Sequence, residues 1–215
     1  MARKTKKRSF KGYNIGLVCE GETEWFYFEH FKTAKKLPYK LKPDLPKHSS
    51  YISIFAKAKQ LVDDEYDKVF CILDLDDIRS QNLTKKYEKA KATLPKNKKI
   101  VVIETMPCFE FWFLLHFINY STKVYEDWVS LAPVLKKYWP AYEKDQNYFR
   151  SVNLYKYITI NGNEVNAKEL AEKLRKAKAE SNNDLFPFTD MDLLLNNLNR
   201  LKQSREDKDK HRKST

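Results

Sequence analysis

The segment KVFCIL, residues 68–73, followed at once by DLDD, limits the folds open to this chain. A half-buried strand alternates apolar and polar residues. This one is apolar at both parities after Lys68, so both of its faces must be covered. Two more short runs behave alike, YNIGLVC at residues 13–19 and KIVVIE at residues 99–104. Between them lie helical patterns: residues 22–36, where Trp25, Phe28 and Phe31 share a face, residues 53–65, and the polar segment 81–92. CFEFWFLLHFI, residues 108–118, reads as a very apolar helix after the third strand. Short buried strands alternating with helices predict an α/β fold, a Rossmann-like parallel sheet flanked by helices. The proline-broken stretch 37–50 reads as an edge strand or a loop.

Beyond residue 120 the pattern turns helical. Residues 125–138 are expected to break at Pro133, residues 166–180 to be capped by Asn166, and residues 189–203 to be capped by Thr189 with Asp192 three positions on. The expected organisation is a basic arm (1–12), an α/β core (13–120), a helical extension packed on it (121–203) and a charged tail (204–215). Cys19, Cys71 and Cys108 lie in apolar segments without a C-x-x-C spacing, which suits buried thiols in a reducing compartment. No apolar run approaches the roughly 20 residues of a membrane span, and the basic start lacks the apolar core of a secretory signal. The expected location is the cytoplasm.

Each of the first two strands ends on acids: Glu20, Glu22 and Glu24 after one, Asp74, Asp76 and Asp77 after the other. A third acidic segment, Glu104 to Glu110, follows KIVVI. In a parallel sheet all C-terminal strand ends share one edge, where such folds bind ligands, so Glu20, Glu24, Asp74 and Asp76 are expected together. Carboxylates crowded there repel one another, and a divalent cation removes the conflict. An all-oxygen set without nearby His or Cys ligands points to Mg²⁺ or Mn²⁺. The plainer reading is that Glu22 and Glu24 favour a helix N-terminus and that Asp76 or Asp77 caps one. Glu110, among aromatics, must be paired, protonated or turned toward the site. His116 reads as a hydrogen-bonded core residue.

The chain carries 41 basic against 29 acidic residues, a net charge of +12, which favours a polyanionic partner such as nucleic acid. Phosphate contacts are expected from Arg3, Lys4, Lys6, Lys7 and Arg8 of the arm, from Lys136 and Lys137, and from Arg175 with Lys173, Lys176 and Lys178. Tyr138, Trp139 and Tyr142 are candidates for stacking on unpaired bases, though such aromatics are more often core.

CEGETEWFYF, the strand ending LDLDD, and MPCFEFWFLLHF together resemble the RloB-like proteins, whose core is a Toprim domain. The resemblance implies that Glu20 is the Toprim glutamate, that Asp74 and Asp76 are its aspartate pair, and that Glu24 is the second glutamate of the nuclease branch. It places Glu110 in the family's hallmark segment. One departure is Met106, where the family is expected to carry Asn before the proline. A Mg²⁺-dependent nuclease is implied, cleaving phosphodiesters in DNA or RNA, tRNA included, in a prokaryotic restriction or anti-phage system, often with a partner ATPase. The C-terminal helices also leave room for a homo-oligomer. Two rivals stand beside this reading. One is a haloacid-dehalogenase-type phosphatase with Asp74 as nucleophile. The other is a non-catalytic nucleic-acid-binding adaptor.

Overall fold

The structure is a computed structural model that describes residues 14–37, 39–42, 44, 49–95 and 98–213, with side chains described as far as residue 203. The basic arm, with Lys4, Lys6, Lys7 and Arg8, lies outside the described residues. Five described strands form one sheet in the order β2-β1-β3-β4-β5. β1 (Ile15–Cys19), β2 (Tyr39–Lys42), β3 (Lys68–Asp74) and β4 (Ile100–Met106) are parallel; β5 (Phe188–Thr189) is antiparallel to β4. The helices are α1 (Glu22–Lys35), α2 (Tyr51–Asp63), α3 (Asp76–Ser80), α4 (Thr84–Ala92), α5 (Glu110–Leu114), α6 (Trp128–Tyr138), α7 (Gln146–Ser151), α8 (Leu154–Asn161), α9 (Glu164–Glu180) and α10 (Met191–Lys213). The expected α/β sheet flanked by helices is therefore present.

The double parity of KVFCIL is explained by the two layers. Phe70 and Ile72 join Ile15, Leu17 and Cys19 against α1, α5 and the C-terminal helices. Val69, Cys71 and Leu73 join Val18 and Ile100 against α2, α3 and α4. Cys19, Cys71 and Cys108 are free and buried. The proline-broken stretch supplies β2 as a parallel edge strand beside β1.

The polar segment after β3 makes two helices, not one, because Asn82 turns into the left-handed region (φ 55°) between α3 and α4. Pro133 does not break α6. It sits on the exposed side of the helix beside Val129, whose carbonyl loses its partner where water can replace it. The apolar segment after β4 is regular only over α5. Its last carbonyls are taken by other partners: Asn163 N–H donates to His116 O (2.9 Å), and Asn166 Nδ2 donates to Leu115 O and Ile118 O. The cap of α9 is consequently Asn163, whose side chain accepts from Asn166 N–H (3.0 Å). Residues 188–189 add a strand to the sheet, so the C-terminal part is not wholly helical.

His116 is 3% exposed and its Nδ1 meets Trp112 O at 2.9 Å; burial lowers its pKa to about 4. It is a neutral core residue. Gly162 lies against it. A methyl group there would stand 2.6 Å from His116 Cβ and 2.8 Å from Ile158 O. Gly162→Ala is expected to destabilise the fold by roughly 1–3 kcal/mol through overpacking, read as a lower midpoint in thermal unfolding. An unchanged midpoint would mean that the α8–α9 turn moves off His116 without cost.

Candidate functional site

β1 and β3 are neighbours whose connections leave in opposite directions, to β2 and to β4, and a crevice opens at such a switch point. Here it is a cavity of about 530 Å³, lined by Glu20, Gly21, Glu22, Thr23, Glu24, Asp74, Asp76, Asp77, Lys144 and Phe149. All four carboxylates expected from the strand ends are among them.

The backbone explains their placement. β1 delivers Glu20, which is 7% exposed, and Asp74 N–H donates to Glu20 Oε2 (3.0 Å), fastening the two strand ends together. Gly21 is the N-cap of α1, and a Cβ there would approach Glu24 Oε2 at 3.2 Å, so the missing side chain leaves room for that carboxylate to fold back. The turn after β3 is held from below: Pro107 O accepts from Leu75 N–H and from Asp76 N–H, both at 3.2 Å. Asp76 Oδ1 accepts from Asp77 N–H (2.8 Å).

Electrostatically the cluster is frustrated. Burial, then Glu24, pushes the Glu20 carboxyl up to about 8, against the opposing bond from Asp74 N–H. Burial pushes Glu24 up to about 7, although backbone N–H groups and Lys144 pull it down. Asp76 rises to about 6, again chiefly by burial. Asp74 rises well above its ordinary range, through burial, then Glu24, then Glu20. Among the described residues, its Oδ1 is buried with no hydrogen-bond partner.

Lys144 was not singled out in the sequence. It comes from the segment between α6 and α7, and its ammonium lies 3.1 Å from Glu110 Oε2. Glu110 is fully buried and does not line the cavity; Thr23 Oγ1 and Tyr142 OH both donate to its Oε1 at 3.0 Å. Burial alone would raise Glu110, but Lys144 and the hydrogen bonds hold it below its ordinary value. Burial lowers Lys144, and Glu110 more than reverses this. Glu110 thus anchors the cation that faces the carboxylates. The only local signal for Lys144 was a lysine between two aromatic-rich helices, which periodicity does not connect to a distant sheet edge.

Other expected residues have different surroundings. Glu22 lines the cavity and accepts from Gln146 Nε2 (2.9 Å). Glu104 points to the opposite face of the sheet, onto Tyr87 OH and Lys91 Nζ. Arg175 spends its guanidinium on Asp192 (2.6 and 2.8 Å) and Thr189 O (3.1 Å), an internal clamp between α9 and α10. Lys136 and Lys137 are exposed in the last turn of α6. Trp139 (1% exposed) and Tyr142 (0%) are core, with Trp139 stacked on Tyr157 at 3.9 Å, and of these three only Tyr138 is exposed, its ring stacked on Phe117.

The donor set fits a hard, oxygen-binding cation by its chemistry and by the orphaned Asp74 oxygen. Among the described residues, no three His, Cys, Asp or Glu side chains converge on one point as they stand. No described helix is long and apolar enough to cross a membrane.

No curated protein and no solved structure matches the chain. A family model described as RloB-like protein matches residues 15–198. That span runs from the first residue of β1 into α10 and takes in every residue lining the cavity, and the chain belongs to the RloB-like family.

Proposed function

We propose that the chain is a Toprim-type, divalent-cation-dependent nuclease that hydrolyses phosphodiester bonds in DNA or RNA within a prokaryotic defence system. The observation that carries this reading is the crowding of four carboxylates, two buried and two half-buried, one with an orphaned oxygen, opposite a lysine at the switch point of the sheet. A site that must hold repelling acids together without a cation is costly, and a bound cation removes the cost. Glu20, Glu24, Asp74 and Asp76 would hold Mg²⁺ or Mn²⁺. When bound, the ion supplies Lewis-acid polarisation of the phosphate and charge for the leaving oxygen.

The chain's own groups supply the rest. Lys144 places a fixed positive charge across the cavity, where a phosphate oxygen gains charge during attack. Glu110, itself held by donors from Tyr142 and Thr23, fixes that ammonium in place. Glu24 would either complete a second metal position or, left off the ion, accept the proton of the attacking water. Lys136, Lys137 and the basic arm are proposed to hold the flanking phosphates. The phosphatase reading is less well supported: it gives no work to Glu20 and Glu24, and Asp192, the later aspartate it could call on, is held by Arg175.

The test incubates the protein, alone and with a partner ATPase, with plasmid, single-stranded DNA and tRNA in Mg²⁺, Mn²⁺ or EDTA. Cleavage in either metal and none in EDTA is expected. Tight binding of all three substrates without cleavage in any condition would favour the adaptor reading.

A further inference from the structure

Neighbouring residues of α1 face different spaces. Glu24 lines the carboxylate cavity, and Trp25 lines a second groove of about 240 Å³ between α1 and the edge strand β2. Trp25, Glu29 and Lys32 form one stripe of the helix along it, about 10 Å long, and Lys40, Lys42 and Asp44 line its other side. Lys42 is in register with Val18, two residues before Glu20, so β2 carries that lysine to the edge of the sheet where the carboxylates stand. We propose that this groove holds the phosphate backbone of the substrate strand immediately to one side of the scissile phosphate. The proposal deepens the nuclease reading and rests on it for the identity of the polymer.

Three observations select phosphate. The first is position. Six acids and one lysine line the cavity, so a polyanion crossing it needs positive charge close by on its path. Lys136 and Lys137 serve phosphates farther out: α6 meets the cavity side at Trp128, whose ring lies 5.3 Å from the Lys144 ammonium, and Lys136 stands eight residues further on, about 12 Å along the helix. The groove begins one residue from Glu24. The second is donor chemistry. Trp25 Nε1 is buried and has no hydrogen-bond partner among the described residues. An indole N–H and lysine ammonium groups donate and never accept, so the groove suits a ligand rich in acceptor oxygens. The third is that its lysines already hold oxyanions. Lys42 Nζ lies 3.0 Å from Asp44 Oδ1 and Lys32 Nζ 3.6 Å from Glu29 Oε2, while the Lys40 ammonium lies over the Tyr66 ring at 5.6 Å. The Asp44 side chain is 90% exposed, so its pair is worth little. It yields to a phosphate that a strand bound at the cavity delivers at high local concentration.

The test measures binding of the full chain to fluorescein-labelled 12-mers of thymidine and of deoxyadenosine in Ca²⁺, over about 50–200 mM salt and without requiring cleavage. Lys32→Ala with Lys42→Ala is expected to weaken binding to both strands alike. It should lower the slope of log K against log salt by about 1.4, the loss of two phosphate contacts on a single strand. Lys85→Ala with Lys86→Ala makes the same change of charge at exposed positions of α4, across the sheet, and is expected to leave the slope as it is. Asp44→Asn frees Lys42 and should tighten binding, a gain that a misfolded protein does not give. An unchanged slope after loss of Lys32 and Lys42, an equal fall in the α4 pair, or unchanged or weaker binding by Asp44→Asn would overturn the proposal. Incubation of the same strands in Mg²⁺ and Mn²⁺ separates the two readings. Binding that depends on Lys32 and Lys42 without cleavage sinks the nuclease and keeps the groove, and cleavage with a slope indifferent to both lysines does the reverse.

Discussion

Glu20→Gln is expected to abolish divalent-ion-dependent cleavage and, in the same protein, to stabilise the metal-free fold at alkaline pH. The activity loss follows from removing the carboxylate that joins the two strand ends and lines the cavity, and about 10³-fold or more is the scale for such a group. The stability gain follows from linkage. Glu20 titrates near 8 in the fold, above the 4.5 of a free glutamate, with burial as the main cause. A carboxyl whose folded pKa is raised favours the fold while it is protonated. That contribution is complete below about pH 4.5 and is lost as pH rises through 8. The metal-free wild type should therefore lose stability between pH 5 and pH 9. Glutamine accepts the same Asp74 N–H bond without acquiring charge, so the variant should escape that slope by on the order of 2–4 kcal/mol at pH 9. Thermal unfolding in EDTA at pH 5, 7 and 9 reads the effect. A wild type with flat stability over that range would remove the electrostatic argument for a cation. Full cleavage by the glutamine variant would remove Glu20 from the reaction.

The same electrostatics separates what the sequence discloses from what it hides. The strands and the acidic ends of two of them follow from local facts: apolar parity in IGLVC and KVFCIL, and acids directly behind. A parallel sheet then brings Glu20, Glu24, Asp74 and Asp76 to one edge whatever the details of the loops. Lys144 and its anchor are not local. Glu110 meets Thr23 across 87 residues and Lys144 across 34, contacts that exist only once α5 and the C-terminal helices have packed on α1. Arg175 illustrates the converse. Its neighbours in sequence are lysines, so it reads as part of a basic face, yet Asp192 on another helix occupies its fork. Asn163 and Asn166 differ by three positions and both suit a cap. Which one caps α9 is decided by the Leu115 and Ile118 carbonyls, just past α5, that Asn166 reaches. β5 is two residues long and carries no period to detect.

Lys144→Met should damage both folding and catalysis, and a second substitution should separate the two effects. In the wild type, Lys144 and the hydrogen bonds hold the Glu110 carboxyl below the ordinary 4.5. A depressed carboxyl stabilises the fold above its unfolded pKa and ceases to do so as acid protonates it. Without the ammonium, a carboxylate that is 0% exposed faces Glu24 and Asp74 unpaired, so burial governs it and its pKa rises. Lys144→Met is then expected to cost about 2–3 kcal/mol at pH 8, below the usual figure for breaking a buried pair because the lysine side chain is 36% exposed. The loss should shrink as pH falls, because the unpaired Glu110 of the variant takes up a proton. Adding Glu110→Gln removes the stranded charge and keeps an acceptor for Thr23 and Tyr142, so the double variant should recover most of the stability at pH 8. Cleavage should not recover. If Lys144 stabilises charge on the reacting phosphate, its loss lowers kcat by about 10²–10³-fold in the single and the double variant alike. A double variant that regains both stability and cleavage would reduce Lys144 to a counter-ion for Glu110. One that regains stability alone places the ammonium in the reaction.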